Sequence, residues 1–187
     1  MTDVALELFL RDGFEETTME QIAERAEVGT TTLYRYFPTK DQLLLDPLVE
    51  AIDPAPYLRA RPTDERLEIS LGEALLAAAA AFDDAGTRIS EMRRLVDAAA
   101  VPRAKLWDRF QTLREDLEKV IADRMGRDTG DLSVRATAGL MLDLFHLVDR
   151  GTDDERTRRE VMLDVLRDLP RSTIVVPRPL EHGVTDG

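Results

Sequence analysis

Residues 17–40 read TTMEQIAERAEVGTTTLYRYFPTK, and the eight residues from Thr30 to Phe37, TTTLYRYF, are the centre of that stretch. Ile22, Ala23 and Ala26 recur at helical spacing and give the first half a short helix with one apolar stripe. Glu20, Glu24 and Arg25 sit on its other side. Glu27-Val28-Gly29 then breaks the pattern, with Gly29 expected to take the positive φ of a sharp reversal. A second helix is expected to start at a capping threonine. Leu33 and Phe37, four apart, turn this second helix's apolar stripe back on the first. Thr30, Thr31, Thr32, Tyr34, Arg35 and Tyr36 are left with no core to fill. Hydroxyls, phenols and a guanidinium on a short exposed helix are groups that donate to phosphates and base edges.

Upstream, Met1 to Gly13 reads as a helix with Val4, Ala5, Leu8 and Phe9 on one face and Gly13 as a left-handed stop. Thr17 or Thr18 caps the next helix, with Gln21 at the capping-box position. Downstream, Pro38-Thr39-Lys40 ends the second reading helix and caps a fourth, Asp41 to about Ile52, carrying Leu43, Leu44, Leu48 and Val49. This fourth helix is expected to link head and body.

The register from Gly13-Phe14 through Thr17-Thr18 and Ile22-Ala23 to the run Gly29–Leu43 closely resembles the amino-terminal segment of the tetracycline-repressor (TetR) family. That resemblance covers about the first quarter of the chain. It implies a helix-turn-helix head that binds double-stranded DNA as a homodimer at a pseudo-palindromic operator, and a small-molecule effector that releases a repressor. Carried over residue by residue, it implies base approach by Thr30, Thr31, Thr32 and Arg35, and phosphate contacts by Thr18, Tyr34, Tyr36 and Lys40. Thr methyls suit thymine methyls, and Arg35 suits guanine. The family usually carries a basic arm ahead of its first helix, where this sequence has Met1 almost inside that helix. Either the arm lies ahead of Met1, or binding rests on few phosphate contacts.

The charge balance bears on the same point. A net charge of −12 argues against non-specific coating of nucleic acid. Between Thr17 and Lys40, Arg25, Arg35 and Lys40 offset Glu20, Glu24 and Glu27, so the reading face is neutral. A helix-turn-helix turned protein-interaction module, with weak or no DNA binding, is therefore the alternative reading.

The rest of the chain reads as helix, giving an all-α fold. Three segments are expected: a helix-turn-helix domain over 1–46, a regulatory and dimerisation domain over 47–169, and a loosely packed or disordered tail over 170–187. The turn-rich Asp53–Pro62 stretch marks the inter-domain boundary. Thr63 is expected to cap a helix to about Asp84. A shorter helix carries Ile89, Met92, Leu95 and Val96. A longer one starts near Pro102 and runs through Leu106, Phe110, Leu113, Leu117, Val120, Ile121 and Met125 to Gly126. The last two are Leu132–Asp149 and Asp153–Leu169. Apolar residues from Leu140 to Val148 ring most of the first of these, and a stripe from Val161 to Leu169 lines the second. Such surfaces need more cover than one helix pair supplies, and a second copy of the chain is the simplest source. The resemblance implies the same four-helix interface.

Met92, Trp107, Phe110, Met141 and Phe145, with His146 and Asp143 as polar anchors and Ala77–Ala81 giving room beside Trp107, are the candidate lining of a small-molecule cavity. Few charges among them favour an uncharged or weakly polar ligand. Simple core packing is the competing reading. Asp143, His146 and Asp149 only sketch a metal site; with no second histidine nearby and no cysteine, no metal and no cofactor are expected. Two histidines, no phosphate-cradling glycine loop and no nucleophile triad leave nothing for an enzyme. The longest uncharged apolar run, Ala74–Phe82, is too short to span a membrane. The amino terminus shows no basic stretch followed by an apolar one, so a cytoplasmic location is expected.

Overall fold

In the head, the start of the second helix is set by side chains that satisfy orphaned backbone groups. The computed structural model describes residues 1–151 and 156–171. Its first four helices are α1 (Thr2–Asp12), α2 (Met19–Arg25), α3 (Thr30–Tyr36) and α4 (Gln42–Ala51). Thr18 caps α2 in a full capping box, its hydroxyl accepting from the Gln21 N–H while the Gln21 side chain accepts from the Thr18 N–H. Thr17 plays a different part: it is buried, and its hydroxyl donates to the Gly13 carbonyl at 2.8 Å. Gly13 ends α1 at φ 94 and ψ 150, a glycine-only region rather than the left-handed helical one.

The turn between α2 and α3 departs from expectation. Gly29 has an ordinary φ of −65 and serves as the N-cap of α3, with Thr30 already inside the helix. The positive φ, 55, belongs to Glu27. Val28 N–H donates to the Ala23 carbonyl at 3.0 Å and Glu27 N–H to the Glu24 carbonyl at 3.1 Å. This is the Schellman termination of a helix, which places its left-handed residue directly after the cap. The reversal is therefore made at the end of α2, and Gly29 is free to open α3.

The body contains α5 (Ala55–Arg59), α6 (Leu67–Asp84), α7 (Gly86–Ala98), α8 (Ala100–Met125), α9 (Leu132–Gly151) and α10 (Arg158–Asp168), followed by a 3-10 turn, Leu169–Arg171. Among the described residues there is no strand. The Pro-rich stretch after α4 is not a plain linker: Pro54 and Pro56 sit at the start of α5, where a missing N–H costs nothing, and Ala55 and Leu58 are fully buried. α6 starts at Leu67, not at Thr63, because the preceding segment is held as a turn. Arg124 of α8 donates to the carbonyls of Arg61 (3.2 Å) and Pro62 (2.8 Å) and to the Ser70 hydroxyl (2.6 Å), which donates in turn to Glu65 (2.6 Å). α10 starts at Arg158, not at Asp153. Thr157 and Glu160 form a second capping box, and the Asp83 carboxylate accepts from the backbone N–H groups of Arg158 (3.1 Å) and Arg159 (3.0 Å). Thr152 and Asp153, and the tail beyond Arg171, lie outside the described residues.

One apolar core runs through both parts. Phe9 and Phe14 meet in the head with ring centroids 5.0 Å apart, around the fully buried Ile22 and Leu33. Leu43, Leu44, Leu45 and Leu48 make α4 apolar nearly all round, as a helix between two layers must be. In the body, Leu75, Ile89, Met92, Leu117 and Ile121 are buried, and Phe82 meets Phe145 at 6.0 Å. Ala74, Ala78 and Ala79 are packed inside, whereas Ala77 and Ala80 line a groove with Tyr57 and Arg159, so the alanine run makes no room beside Trp107.

Three cations of the body hold carboxylates of the head and of α4. Arg88 on α7 pairs with Asp3 at 2.6 Å. Lys105 and Arg109, one turn apart on α8, pair with Asp41 at 2.8 Å and Asp46 at 2.6 Å. Burial pushes the Asp46 carboxyl upward, and Arg109 opposes that shift. No helix of the described residues is long and apolar enough to cross a membrane.

Candidate nucleic-acid interface and ligand cleft

α3 buries Leu33 completely, half-buries Phe37 behind it, and turns Thr30, Thr31, Tyr34, Arg35 and Tyr36 to solvent, with Thr32 partly covered. Five of the eight named head residues thus form one exposed face on a helix whose other face is anchored in the core. The polar groups there differ in their engagements. The Arg35 guanidinium lies over the Tyr36 ring at 5.0 Å. The Tyr34 hydroxyl donates to Glu20 at 3.4 Å, and partial burial together with that carboxylate raises the phenol's pKa. Lys40 turns inward, donating to the carbonyls of Phe14 and Glu15 (3.1 Å) with its ammonium 4.5 Å from the Phe14 ring centre. It fastens the α1–α2 connection to the start of α4. Thr18 is exposed at the first turn of α2, its hydroxyl occupied by the capping bond. Arg25 pairs with Glu7 at 3.2 Å and Arg11 with Asp12 at 2.6 Å, whereas Arg35 forms no ion pair with any described residue.

The body carries a cleft of about 350 Å³ between α8 and α9, lined by Trp107, Phe110, Gln111, Arg114, Leu142, Asp143 and His146. Trp107, Phe110, Asp143 and His146 of the expected lining meet here. Phe145 borders a small adjoining void of about 30 Å³ with Phe110, Leu142 and His146. Met92 and Met141 do not reach the cleft; both are core residues. Trp107 is 67% exposed because it leaves the Leu106–Leu113–Leu117 stripe of its own helix and stands at the cleft's rim. Asp149 borders the small void as well, but its carboxylate is bound to Arg158 at 2.9 Å and Arg93 at 3.5 Å, and no metal-binding cluster occurs among the described residues.

Arg114 and Gln111 were absent from the expected lining. A cation on a long helix reads as a solvated face, and only the register of α8 against α9 reveals otherwise. Arg114 lies one turn beyond Phe110 and reaches across to Gly139, where an added Cβ would stand 2.7 Å from its Nη2.

The family model for the tetR family of bacterial regulatory proteins matches residues 1–46. Over 135 residues the chain is 36% identical to the HTH-type transcriptional regulator TcmR of Streptomyces glaucescens, a match covering 68% of this chain and 59% of that protein. Residues 1–46 therefore carry the amino-terminal pattern of the tetR family. The HTH-type transcriptional repressor KstR of Rhodococcus jostii is 43% identical over 51 residues, 27% of this chain and 24% of that protein. The chain spans about three fifths of the length of TcmR and about a quarter of that of KstR. A crystal structure of Thermus thermophilus FadR, a TetR-family repressor in complex with lauroyl-CoA, shares the fold at a TM-score of 0.54 and 22% identity, covering 97% of each chain.

Proposed function

We propose that this chain is a ligand-responsive, DNA-binding transcriptional repressor of the TetR family. It acts in the cytoplasm as a homodimer, with α3 of each copy in a major groove of a pseudo-palindromic operator. The observation that carries the reading is the two-sided character of α3: Leu33 fully buried, and Thr30, Thr31, Tyr34, Arg35 and Tyr36 presented together to solvent. A helix whose core face is locked can hold its polar face in register with a groove. Residues 1–46 form the reading head, and 47–169 form the regulatory and dimerisation part. The two copies join through α9 and α10, where Leu132, Leu140 and Leu147 stand 82%, 45% and 64% exposed on one side of α9. A small, largely apolar molecule in the α8–α9 cleft is the inducer, and it acts on the heads through α4.

A second reading, a protein-interaction module, is favoured by the neutral head and by Tyr34 and Lys40 being occupied inside the fold. Gel-shift titration with the intergenic DNA beside the protein's own gene separates the two. The proposal expects Arg35→Ala to relax discrimination at one base pair by about 1–3 kcal/mol and Tyr34→Phe to weaken all sequences alike. It also expects a shallow salt dependence, because few phosphates are neutralised. Absence of any sequence-specific shift would favour the interaction module.

A further inference from the structure

The cleft between α8 and α9 holds one arginine, Arg114, and one carboxylate, Asp143, among apolar and neutral polar walls. We propose that its ligand carries an acidic group, seated on Arg114, at one end of an apolar body that covers Trp107 and Phe110. The inference rests on the reading of this cleft as the ligand site, and it revises the expectation of an uncharged ligand.

Arg114 makes no hydrogen bond or ion pair with any described residue, although carboxylates outnumber cations in the sequence by 37 to 25. Its neighbours do not share that state. Lys105 and Arg109 on the same helix are paired with Asp41 and Asp46, and Arg124 is fully engaged with the turn before α6. Glu118, one turn further on, faces Arg135 at 4.0 Å. Asp143, the carboxylate on the cleft wall, is exposed and stands beyond ion-pair distance of Arg114. Half-burying a guanidinium without a partner is costly, and the cost is recovered when an anion arrives.

The seat itself is built by a glycine. Gly139 is buried in α9 with an ordinary backbone, so no positive φ requires glycine there. What the absent side chain provides is space: a Cβ would lie 2.7 Å from Nη2 and 3.8 Å from Cζ of Arg114. The guanidinium, partly buried, lies close beside α9 at Gly139, and Trp107, 67% exposed and two turns back on the same face of α8, lies nearer solvent. An amphipathic acid fits that order, with its charge inside and its apolar body along the Phe110 and Leu142 walls.

The test uses two fluorescent aryl amines of the same body on the full-length protein. 8-Anilino-1-naphthalenesulfonate carries an acid, and N-phenyl-1-naphthylamine does not. Trp107 is the single tryptophan, so quenching of its emission by either dye reports occupancy of this cleft. The sulfonate is expected to bind at least tenfold tighter than the neutral dye. Arg114→Gln should abolish that preference and Arg114→Lys should keep part of it. Gly139→Ala should also lower sulfonate affinity severalfold while raising the melting temperature, since alanine favours the helix and the displaced group is the tip of a flexible side chain. That pairing separates loss of the seat from loss of the fold. Decanoate and decyl phosphate should displace the sulfonate where decanol does not, and their relative potency tells carboxylate from phosphate. Equal binding of both dyes with Trp107 quenched, unchanged in Arg114→Gln, would refute the anion seat and leave the cleft standing. No quenching by either dye would refute the cleft reading, and the anion seat with it.

Discussion

Replacing Glu27 with glycine should stabilise this protein by about 1 kcal/mol. The same terminating pattern closes α2 and α8. Beyond α8, Arg127 N–H reaches the Ala122 carbonyl at 3.0 Å and Gly126 N–H reaches Asp123 at 3.3 Å; beyond α2, Val28 reaches Ala23 at 3.0 Å and Glu27 reaches Glu24 at 3.1 Å. The left-handed position is glycine in one case, φ 61, and glutamate in the other, φ 55. A side chain in that conformation costs about 1–2 kcal/mol, and glycine's greater freedom in the unfolded chain returns about 0.5–1 kcal/mol of the gain. The remainder corresponds to a rise of roughly 2–4 °C in melting temperature for a chain of this size. Reversible urea unfolding of Glu27→Gly beside Glu27→Ala is the assay. Alanine keeps the Cβ and removes the charge, so it should gain little. If alanine stabilises as much as glycine, the effect is electrostatic and the backbone argument fails. Because Glu27 is one of three carboxylates in the 17–40 segment, both variants should also raise operator affinity modestly, and that gain should fade with added salt.

Leu140→Glu combined with Leu147→Glu should dissociate the proposed homodimer and leave each monomer folded, as light scattering and circular dichroism would show; a dimer persisting at micromolar concentration would remove α9 from the interface. Leu144 and Val165 are unsuitable for that test, since Leu144 is buried within its own subunit and Val165 is partly so. Glu65 is held down from 4.5 to about 2 by the hydrogen bonds from Arg61 and Ser70. Its contribution is present above its ordinary value and is lost as pH falls from 4.5 towards about 2, so Glu65→Gln should flatten the decline of the urea midpoint in that window; parallel declines would show that the cluster does not couple to folding.

The head was legible because its signals are local. The Thr18–Gln21 box, the 22–23–26 stripe and the Leu33–Phe37 pair each lie within one turn or two, and each appears in the fold. The misplacement of the positive φ has a physical source: a Schellman turn selects a position relative to the end of the preceding helix, and that end, Arg25, could not be located to one residue from periodicity. The later starts of α6 and α10 have a different source. Arg124 and Asp83, 54 and 75 residues from Ser70 and Arg158, decide them, and no window of sequence contains both partners. The cleft was half legible for the same reason. Trp107 announces itself by breaking the stripe to which Phe110 belongs, whereas Arg114 gains meaning only from Gly139 on another helix.

The placement of Lys105 and Arg109 bounds how strongly the cleft can speak to the DNA face. Both lie on α8 within three turns of Trp107, Phe110 and Arg114, on the side turned to α4, so a ligand that moves this half of α8 moves the partners of Asp41 and Asp46. The far half of α8 is fixed by the buried Leu117 and Ile121 and by the bonds of Arg124, which makes it the pivot. Partly exposed ion pairs are worth about 0.2–1 kcal/mol each, so loss of both supplies at most about 2 kcal/mol. A tenfold fall in operator affinity needs about 1.4 kcal/mol of coupling, within that reach; a thousandfold fall is beyond it and would require repacking of Leu44 and Leu48 as well. The double variant Lys105→Ala, Arg109→Ala should therefore bind the sulfonate dye as the wild type does in the absence of DNA. It should lose most of the reciprocal weakening between dye and operator expected of the wild type. Unchanged coupling in that variant would move the route away from these pairs and onto the apolar contacts of α4 itself.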